Sequence, residues 1–572
     1  MKKSRRQQIE NAAPAKAAAL AAGKSFVWWP WAAALAALFL VFEAYGPAID
    51  GPFVFDDRYL PFFSPTVQGL TFLGWITGVR PLLMLSYWVD YTRGGIQPHD
   101  YHVTNVLLHF VTAVLITLIV HRLLELLGTQ STARAALSVF AGGLFLLHPI
   151  QTEVAAYVAS RSEALSVMFY YAAVCVFVYK KPEESISIWR SLAILILFGA
   201  ALTSKEHALT LPVLLLLIDL AWVRQGWRKN ALLYGMMAAA GVVGAFFVGR
   251  VLLQADSAGF SLKGMTPLNY FLTQCRVIWN YLRLFLVPAG LNADPDIAIS
   301  RSLLDGGAIL GLLALAAVAA AAWIYRKRYP LASLGVAIFL LLIAPTSSFV
   351  PIQDVQYERR VYLPFLGLLL IVLEFLRRLK VSQIIGVGAA ILIICAFLTY
   401  QRSEVWASPM ALWQDTVAKS PKKVRPRFQI AYAQYETGHC PEAAAQYEIA
   451  STLAPPDYTL LVDWALALDC SGRADDAIQK LEQATRLEKN AQAYSQIGMV
   501  YGKQGKKDQA LAALAEAERI NPGFAMTYVY RGNVFEVSGD RAQAAREYQH
   551  ALELDRFNEA ARQGMERLTR PR

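Results

Sequence analysis

Long apolar stretches separated by short polar segments recur through roughly the first 400 residues of the chain. Most approach the ~20 residues that a helix needs to cross a bilayer, and the shorter ones suit helices that end in a polar cavity. Eleven stretches are candidate spans: 26–45, 103–120, 135–150, 163–179, 188–203, 207–223, 231–253, 306–325, 331–350, 361–376 and 381–400. We therefore predict a membrane domain of eleven helices over 26–402, preceded by a short tail, 1–25.

A further apolar stretch, 268–287, differs from these because Arg276 and Arg283 lie on one face of the helix that it would form. Counting this stretch as a span would reverse the sidedness of everything after it. Charges confined to one side are typical of an amphipathic helix at a membrane surface. We predict such a helix on the outer surface.

After about residue 400 the pattern changes to short amphipathic helices that repeat every 33 to 34 residues. In the third copy, small and large apolar residues stand at the offsets of a tetratricopeptide repeat (TPR): Gly498, Tyr501, Gly505, Ala510, Ala517 and Pro522. We predict an adapter helix, four repeats and a polar cap: 403–423, then 424–457, 458–490, 491–524 and 525–558, then 559–572. The predicted fold class is all-α, a polytopic membrane helix bundle followed by a C-terminal TPR α-solenoid whose groove would bind a peptide or a partner.

Charge fixes the predicted sidedness of the membrane domain. The chain has 572 residues, 56% hydrophobic and 17% charged, with a net charge of +11. Its basic residues cluster in short loops between apolar stretches: Lys2, Lys3, Arg5 and Arg6; Lys180 and Lys181; Arg224, Arg228 and Lys229; Arg326, Lys327 and Arg328; Arg377, Arg378 and Lys380. This positive-inside pattern predicts a cytoplasmic N-terminus and an extracytoplasmic TPR domain, and it excludes nucleic acid as an expected partner. Compact loops and few repeats favour the inner membrane of a bacterium, with the TPR domain in the periplasm.

Polar motifs concentrate at the ends of the predicted helices on the outer side, where ionisable groups are functional candidates. The candidate residues are Asp56, Asp57, Arg80, His102, Asn105, His148, Glu153, Arg161, Glu163, Lys205, Glu206, Glu358, Arg359 and Arg360. The motifs that hold them follow one another as FDD, RPL, YHxxNxxLH, HPIxTE, SKE and ERRxYLP, and the TPR repeats come last. This order resembles that of the transmembrane and TPR-containing (TMTC) O-mannosyltransferases and their bacterial relatives, in the GT-C superfamily of glycosyltransferases.

The resemblance covers nearly the whole chain and implies a GT-C-like membrane domain, a sugar donor on a polyprenyl phosphate, an acidic base in the first outer loop and a protein hydroxyl as acceptor. Sugar transfer from a lipid phosphate needs a base for the acceptor proton and cations for the leaving phosphate. We predict Asp56 as the base, with Asp57 orienting the acceptor or donor. Arg359 and Arg360, with Lys205 as a third cation, would hold the phosphate, and a single direct attack would invert the anomeric carbon.

Several of these residues have a structural interpretation as well. Asp56 and Asp57 together are also typical of a turn or a helix cap, and the two arginines could anchor their helix at the interface. Substrate contacts and an internal ion-pair lattice remain equal alternatives for Glu153, Arg161 and Glu163. His102 fits helix packing better than metal binding. No metal site is predicted, although the acidic pair could hold a divalent cation.

Two other functions fit the same sequence. One is a glycosyltransferase that modifies a cell-envelope lipid or polysaccharide, and the other is a non-catalytic membrane scaffold. The expected partners of the leading interpretation are a lipid-linked sugar donor, membrane lipids and an acceptor protein or peptide at the TPR groove.

The five cysteines divide between the two halves of the chain. Cys175, Cys275 and Cys395 lie in apolar stretches and are expected to be small core residues. Cys440 and Cys470 lie at neighbouring helix ends of the first two repeats. Because such helices pack antiparallel, we predict a disulfide bond between them, which an oxidising compartment would preserve.

Overall fold

The structure is a computed structural model that describes residues 29–78, 80–180, 184–222, 226–254, 258–260, 262 and 264–569. Within these ranges the chain is helical, and extended pairing is limited to an isolated bridge between Ala258 and Ile352. The predicted all-α fold class is confirmed. The predicted tail, 1–25, and the basic residues Lys181 and Arg224 lie outside the described residues.

The first half consists of apolar helices joined by loops, several of which contain short 3-10 turns. Its helices are α1 (Trp29–Ile49), α2 (Pro65–Gln68), α3 (Phe72–Trp75), α4 (Pro81–Gly94), α5 (Pro98–Leu126), α6 (Ser131–Leu147), α7 (Thr152–Ala156), α8 (Arg161–Val178), α9 (Ile188–Leu202), α10 (Leu211–Trp222), α11 (Gly226–Lys229), α12 (Ala231–Gln254), α13 (Pro267–Leu286), α14 (Ala308–Ile324), α15 (Pro330–Ile343), α16 (Phe365–Leu376) and α17 (Val381–Trp406). The 3-10 turns that matter for the site are Phe55–Tyr59, Val158–Ser160, Glu206–Thr210 and Glu358–Val361.

By length and hydropathy, only some of the eleven predicted membrane spans are long and apolar enough to cross a bilayer. Among the described residues five helices are long and apolar enough to cross a bilayer: Pro30–Ile49, Pro98–Leu126, Val158–Val178, Asp305–Ile324 and Val381–Trp406. A sixth results if Ser131–Leu147 and Pro149–Ala156, which meet at an angle of 50°, form one broken span. Each of the eleven predicted stretches contains a helix, but several of these helices are shorter than a bilayer is thick, so the span count stays a prediction.

Helix α13 is the predicted amphipathic helix. It begins at Thr266, whose hydroxyl oxygen accepts the backbone N–H of Asn269 at 3.1 Å. Its two arginines bind the loop that follows: Arg276 donates to the carbonyl of Ala298 at 3.1 Å, and Arg283 donates to the carbonyl of Ala289 at 2.9 Å. The charged face is therefore covered by polar backbone, while the opposite face packs in the bundle. The position of α13 relative to the membrane stays a prediction.

Close helix packing in the bundle depends on glycine. Helices α15 and α16 cross where Gly335 and Gly367 meet, and a Cβ added at Gly335 would lie 2.4 Å from the carbonyl oxygen of Gly367. Small residues at a crossing allow two backbones to approach, which is how membrane helices gain packing energy. The crossing positions the 3-10 turn Glu358–Val361, which immediately precedes α16.

The second half is a stack of antiparallel helix pairs. After α18 (Pro409–Lys419), the pairs are α19 (Val424–Glu436) with α20 (Cys440–Leu453), α21 (Tyr458–Cys470) with α22 (Ala474–Leu487), α23 (Ala491–Lys503) with α24 (Lys507–Ile520), and α25 (Ala525–Val537) with α26 (Arg541–Leu554); α27 (Glu559–Thr569) ends the stack. The turn inside each pair contains a glycine with a positive φ, such as Gly438 at 80° and Gly472 at 79°. Non-glycine residues rarely adopt this conformation, which explains the regular glycines of the repeat.

The predicted disulfide bond between Cys440 and Cys470 is confirmed. It joins the first residue of α20 to the last residue of α21, and the two Cα atoms are 5.8 Å apart. That separation lies within the usual range for a disulfide. Cys275 and Cys395 are buried and Cys175 is partly buried, as expected for small core residues.

The TPR stack is attached to loops of the first half. Trp413 of α18 and Ile430 of α19 are buried in an apolar cluster with Tyr157, which belongs to the loop before α8. Polar contacts surround this cluster: the side-chain amide of Asn292 donates to Ser420 at 2.8 Å, and Lys419 donates to the carbonyl of Leu291 at 2.7 Å. The first TPR helix therefore lies directly beside the predicted catalytic loop.

Candidate active site

The loop that contains the acidic pair has an unusual backbone. Phe55 has a φ of 54°, a conformation that costs a residue with a side chain about 1–2 kcal/mol. Aromatic packing holds it there: the Phe55 ring stacks on Tyr157 at 6.0 Å between centroids and meets the edge of Trp413 at 5.1 Å. The next two side chains differ in burial, since Asp57 is buried and Asp56 is exposed.

Asp57 points inward and is fully buried. Its two carboxylate oxygens accept the backbone N–H groups of Val54 at 3.1 Å and Ala159 at 2.7 Å. Burial raises the pKa of Asp57 to about 8, although these hydrogen bonds oppose the rise. Asp57 thus ties the 53–59 loop to the 157–160 turn, so its contacts fit a positioning residue better than the predicted contact with substrate.

Asp56 is exposed to solvent. Its backbone N–H donates to the hydroxyl of Tyr157 at 3.1 Å. Desolvation by the surrounding loops raises the pKa of the Asp56 carboxyl, while a hydrogen bond from Tyr157 and the charges of Arg359 and Arg425 hold it down. An accessible carboxylate with a raised pKa is suited to act as a general base.

Arg359 is the cation that acts most strongly on the Asp56 carboxylate. Its guanidinium pairs with the buried carboxylate of Glu153 and lies 3.7 Å from the centroid of the Tyr357 ring. Its backbone N–H also donates to Glu153 at 2.9 Å. The Arg359 side chain is still 20% exposed. It is therefore a fixed cation that can bind an anion from the solvent.

Arg360 has a different environment. Its guanidinium is buried and donates to the hydroxyl of Tyr270 at 3.1 Å and to the carbonyls of Val355 at 2.8 Å and Thr346 at 3.3 Å. These contacts fasten the 346–355 loop. With its donors occupied by the protein, Arg360 is a poorer candidate for the phosphate clamp than its neighbour.

A second polar cluster lies between α4 and the 3-10 turn Glu206–Thr210. Arg80 forms a bidentate pair with Glu206, with N···O distances of 2.9 and 3.0 Å. Lys205 pairs with the buried carboxylate of Glu163, and Nδ1 of His207 lies 3.3 Å from the same carboxylate. Arg80, Lys205 and Glu206 remain partly exposed, so this cluster contains two further cations that solvent can reach.

The remaining candidates are buried and bind protein groups. Arg161 pairs with Asp90, donates to the side chain of Asn105 at 2.8 Å and to the carbonyl of Tyr101 at 2.8 Å. Its guanidinium lies 4.8 Å from the ring centroid of Tyr87. Together with the pairs of Glu153 and Glu163, these contacts match the ion-pair-lattice interpretation rather than direct substrate contact.

His148, Glu358 and His102 have no exposed polar atoms that face the site. His148 accepts the N–H of Ile150 at 3.2 Å and lies 2.9 Å from the carbonyl of Phe285, and Glu358 accepts the N–H of Asn292. Burial raises the pKa of Glu358 to about 7. The ring nitrogens of His102 have no hydrogen-bond partner among the described residues. Across the same residues, no group of three or more His, Cys, Asp and Glu side chains could hold a metal ion.

Four residues of the site were not among the sequence candidates: Tyr157, Asp90, His207 and Arg425. The sequence could have identified Asp90, because an aspartate in an apolar helix needs a buried partner such as Arg161. The sequence could not have identified Tyr157 and Arg425, because their roles depend on the way in which α8, α19 and the 51–60 loop meet. Arg425, from the first TPR helix, pairs with Asp354 at 2.9 Å and lies 5.7 Å from the ring centroid of Phe55.

Comparisons with known proteins match both halves of the chain. The tetratricopeptide repeat family model TPR_8 matches residues 491–524, which is the third predicted repeat. Solved structures that resemble the chain include MamA, with a TM-score of 0.24, 22% identity and coverage of 27% of this chain and 85% of that one. YrrB, described as a TPR protein with an unusual peptide-binding site, has a TM-score of 0.24 and 18% identity, covering 31% of this chain and 89% of that one.

The curated relatives are all named protein O-mannosyl-transferase. Protein O-mannosyl-transferase TMTC3 of Mus musculus is 21% identical over 84% of this chain, and its human counterpart is 22% identical over the same share. Protein O-mannosyl-transferase Tmtc1 of Drosophila melanogaster is 31% identical over 32% of this chain and 22% of its own length. The chain spans 57% of the mouse protein and 58% of the human one. Over most of its length, the chain is similar to the TMTC family of TPR-containing protein O-mannosyl-transferases.

Proposed function

We propose that this chain is a membrane glycosyltransferase that moves a hexose, mannose by the names of its relatives, from a polyprenyl phosphate to hydroxyl groups of extracytoplasmic proteins. The observation that carries the proposal is an exposed carboxylate, Asp56, within electrostatic range of Arg359, a cation that Glu153 anchors and that stays 20% exposed. Most other charged candidates are buried and paired with protein groups. Asp56 and Arg359 supply the base and the cation that the reaction requires.

In the proposed reaction, Asp56 takes the proton of a serine or threonine hydroxyl as the hydroxyl oxygen forms a bond to the anomeric carbon. The bond between that carbon and the phosphate oxygen breaks, and its electron pair stays on the phosphate. Arg359 stabilises the charge that develops there. The products are the O-glycosylated protein and the free polyprenyl phosphate, and a single displacement inverts the anomeric carbon.

The other candidates take supporting roles. Arg80 and Lys205, which are partly exposed, would contact the donor phosphate or sugar from the second cluster. Asp57 and Tyr157 hold Asp56 in place, and Arg360 holds the loop that carries Arg359. The predicted direct role of Arg360 in the clamp is therefore replaced by a positioning role.

Substitution of Asp56 tests the chemistry. Asp56→Asn keeps the shape of the side chain but cannot accept a proton, so transfer should fall by about 10²- to 10⁴-fold. The assay uses full-length protein in lipid nanodiscs, mannosyl polyprenyl phosphate and a serine- and threonine-rich peptide, with the product detected by mass spectrometry.

Asp50→Asn is the matched control, because Asp50 lies in the same outer segment with its side chain 82% exposed. This variant should transfer at the wild-type rate. If Asp56→Asn also transfers at the wild-type rate, Asp56 is not the base. If wild-type protein modifies added envelope lipid but no peptide, the acceptor class is wrong.

A further inference from the structure

A cavity lies in the side of the helix bundle, between α1, α5, α6 and α17. Its volume is about 630 Å³, within the range of about 300–1,000 Å³ that is typical of small-ligand pockets. Small residues form much of its wall: Ala33, Ala34, Ala36, Ala37, Ala113, Ala135, Gly142 and Gly143. Other lining residues are large, apolar and exposed, namely Leu40, Val114, Leu118 and Val139. The cavity therefore opens to the apolar outer surface of the bundle.

The cavity interrupts the packing of α1. In the second half of this helix Val41, Tyr45 and Ile49 are buried in the core of the bundle. Between Pro30 and Leu40 no residue is buried, and six residues of this stretch line the cavity. An apolar guest would supply the contacts that α1 lacks there, since close packing on both sides of a helix adds dispersion energy.

The length of the cavity fits a lipid chain. On α5 the lining residues run from Phe110 to His121, which is about 16 Å along an α-helix. The hydrocarbon core of a bilayer is about 30 Å thick, so the cavity is as long as one leaflet. His121 lies five residues before the end of α5 at Leu126, whereas Phe110 lies near the middle of that helix. A chain that enters at the His121 end would thus stop near mid-membrane.

The His121 end of the cavity carries a cation. Arg134, in the first turn of α6, donates from Nε to Nε2 of His121 at 3.2 Å. The Arg134 side chain is 21% exposed, and its two terminal nitrogens donate no hydrogen bond to any residue that the structure describes. One of them lies 3.9 Å from the carboxylate of Glu125, which pairs more closely with Arg122. Arg134 is therefore a positioned guanidinium with donors left for a ligand.

This end of the cavity suits a phosphate group. Tyr179 lines the cavity, its carbonyl accepts from Arg190 at 3.0 Å, and its ring centroid lies 5.8 Å from the guanidinium of Arg122. These arginines add positive charge to that of Arg134. A guanidinium binds phosphate through paired, charge-assisted hydrogen bonds, and the surrounding positive charge favours a headgroup that is anionic overall.

The cavity is remote from the candidate active site. Pro30, at the cavity, and Ile49, which precedes the loop of Asp56, are separated by about 28 Å along α1. A donor whose phosphate is bound by Arg359 near Asp56 could not at the same time place that phosphate at Arg134. The occupant of the cavity is therefore a different lipid from the sugar donor.

From this geometry we propose that the cavity binds an acyl chain of an anionic glycerophospholipid, whose phosphate accepts hydrogen bonds from Arg134. The bound lipid completes the packing of the first half of α1 against α5 and α6. This site goes beyond the proposed function, because it involves neither the sugar donor nor the acceptor.

Native mass spectrometry of the full chain, freed of lipid in detergent, tests the site. The probes are phosphatidylglycerol and phosphatidylcholine with identical acyl chains. Wild-type protein should bind its first phosphatidylglycerol about tenfold more tightly than phosphatidylcholine. Arg134→Gln should reduce this preference below about twofold, whereas Arg134→Lys, which keeps the charge, should retain most of it. Arg326→Gln is the control, because Arg326 is an exposed arginine that does not line the cavity, and it should leave the preference unchanged.

Filling the cavity is the second test. Ala36 lines the cavity and is exposed, so the ring of Ala36→Phe can occupy the space of the acyl chain without displacing the core. We expect about tenfold weaker binding of phosphatidylglycerol. Leu35→Phe is the matched control, because Leu35 is the neighbouring residue, is 68% exposed and does not line the cavity. It should bind as wild type does, and circular dichroism should show that all variants are folded.

Three results would overturn the proposal. One is equal binding of the two phospholipids by wild-type protein. Another is wild-type binding of phosphatidylglycerol by folded Arg134→Gln or folded Ala36→Phe. The third is displacement of phosphatidylglycerol by a polyprenyl phosphate whose own binding falls in Arg134→Gln, since the cavity would then hold the donor lipid. Failure of the catalytic assignment, seen as full transfer by Asp56→Asn, would leave each of these binding results unchanged.

Discussion

Opposing effects act on the Asp56 carboxyl. Desolvation favours its protonated form, whereas the Tyr157 hydroxyl and the charges of Arg359 and Arg425 favour the carboxylate. The desolvation effect prevails, so the pKa lies above the usual value for an aspartate. A base works only when deprotonated, so transfer should decline, as the pH falls, at a higher pH than for an ordinary aspartate.

Tyr157→Phe should make this decline begin at a still higher pH. The substitution removes the hydroxyl that stabilises the carboxylate and keeps the ring that stacks on Phe55. We expect the acid limb of kcat/KM to move upward by roughly half a pH unit to one unit. Tyr59→Phe is the control, because Tyr59 lies in the same loop and is 86% exposed. An unchanged acid limb in Tyr157→Phe would show that Tyr157 does not act on the base.

At this scale the sequence locates the site but does not divide its roles. Arg359 and Arg360 are adjacent and have the same sequence signal, and only the carbonyls of the 346–355 loop distinguish them. Asp56 and Asp57 likewise differ because only the Asp57 carboxylate accepts the backbone N–H groups of Val54 and Ala159, contacts that the order of residues does not show. Motif order was therefore enough to find the candidates, whereas burial was needed to assign them.

At the scale of helices, the crossing of α15 and α16 positions the 3-10 turn Glu358–Val361, which contains Arg359. Gly335→Ala would bring a methyl group to 2.4 Å from the backbone oxygen of Gly367, which cannot move as a side chain can. We expect a loss of about 1–3 kcal/mol in stability, measured by thermal unfolding in detergent. Gly386→Ala is the control, because nothing lies within 4 Å of its added Cβ. Equal unfolding temperatures for the two variants would contradict the close crossing.

The disulfide bond gives a second prediction for these elements. It closes a separation of 30 residues, so reduction or Cys470→Ser should lower the free energy of unfolding of the TPR domain by about 3–4 kcal/mol. A membrane-impermeant maleimide should label neither Cys440 nor Cys470 in unreduced protein. After reduction it should label Cys470, which is exposed, and only from the extracytoplasmic side, whereas Cys440 is buried. Free thiols before reduction would disprove the bond in solution, and labelling from the cytoplasmic side would disprove the predicted orientation.

The helix boundaries could be predicted from the sequence where residues recur at a fixed spacing, as they do in the TPR domain. The first helices of the four repeats begin at Val424, Tyr458, Ala491 and Ala525. These starts were predictable because small residues and turn glycines recur at fixed offsets. The membrane helices have no such period. Helix α10 has 12 residues and ends near polar loops, so an apolar stretch alone does not determine whether a full span forms.

At the scale of the molecule, the TPR domain contributes a charge to the catalytic loop. Arg425 belongs to α19, pairs with Asp354 and acts on Asp56 through space. Arg425→Gln removes a positive charge that stabilises the Asp56 carboxylate, and it leaves Asp354 with only the hydrogen bond from the Tyr357 hydroxyl. The loss of the positive charge raises the pKa of Asp56, so the acid limb of transfer should move to higher pH.

Arg427→Gln is the control for this prediction, because Arg427 lies on the same helix and donates instead to Gln446 at 3.1 Å. Its pH profile should match that of wild type. Identical profiles for both variants would show that the TPR domain is electrostatically independent of the site.

The disulfide also ties the first repeat to the second, because Cys440 begins α20 and Cys470 ends α21. Thiols stay reduced in the cytosol, so the bond forms in an oxidising compartment. In a newly made chain with the predicted orientation, the link between these two repeats would therefore be completed only after the TPR domain has crossed the membrane.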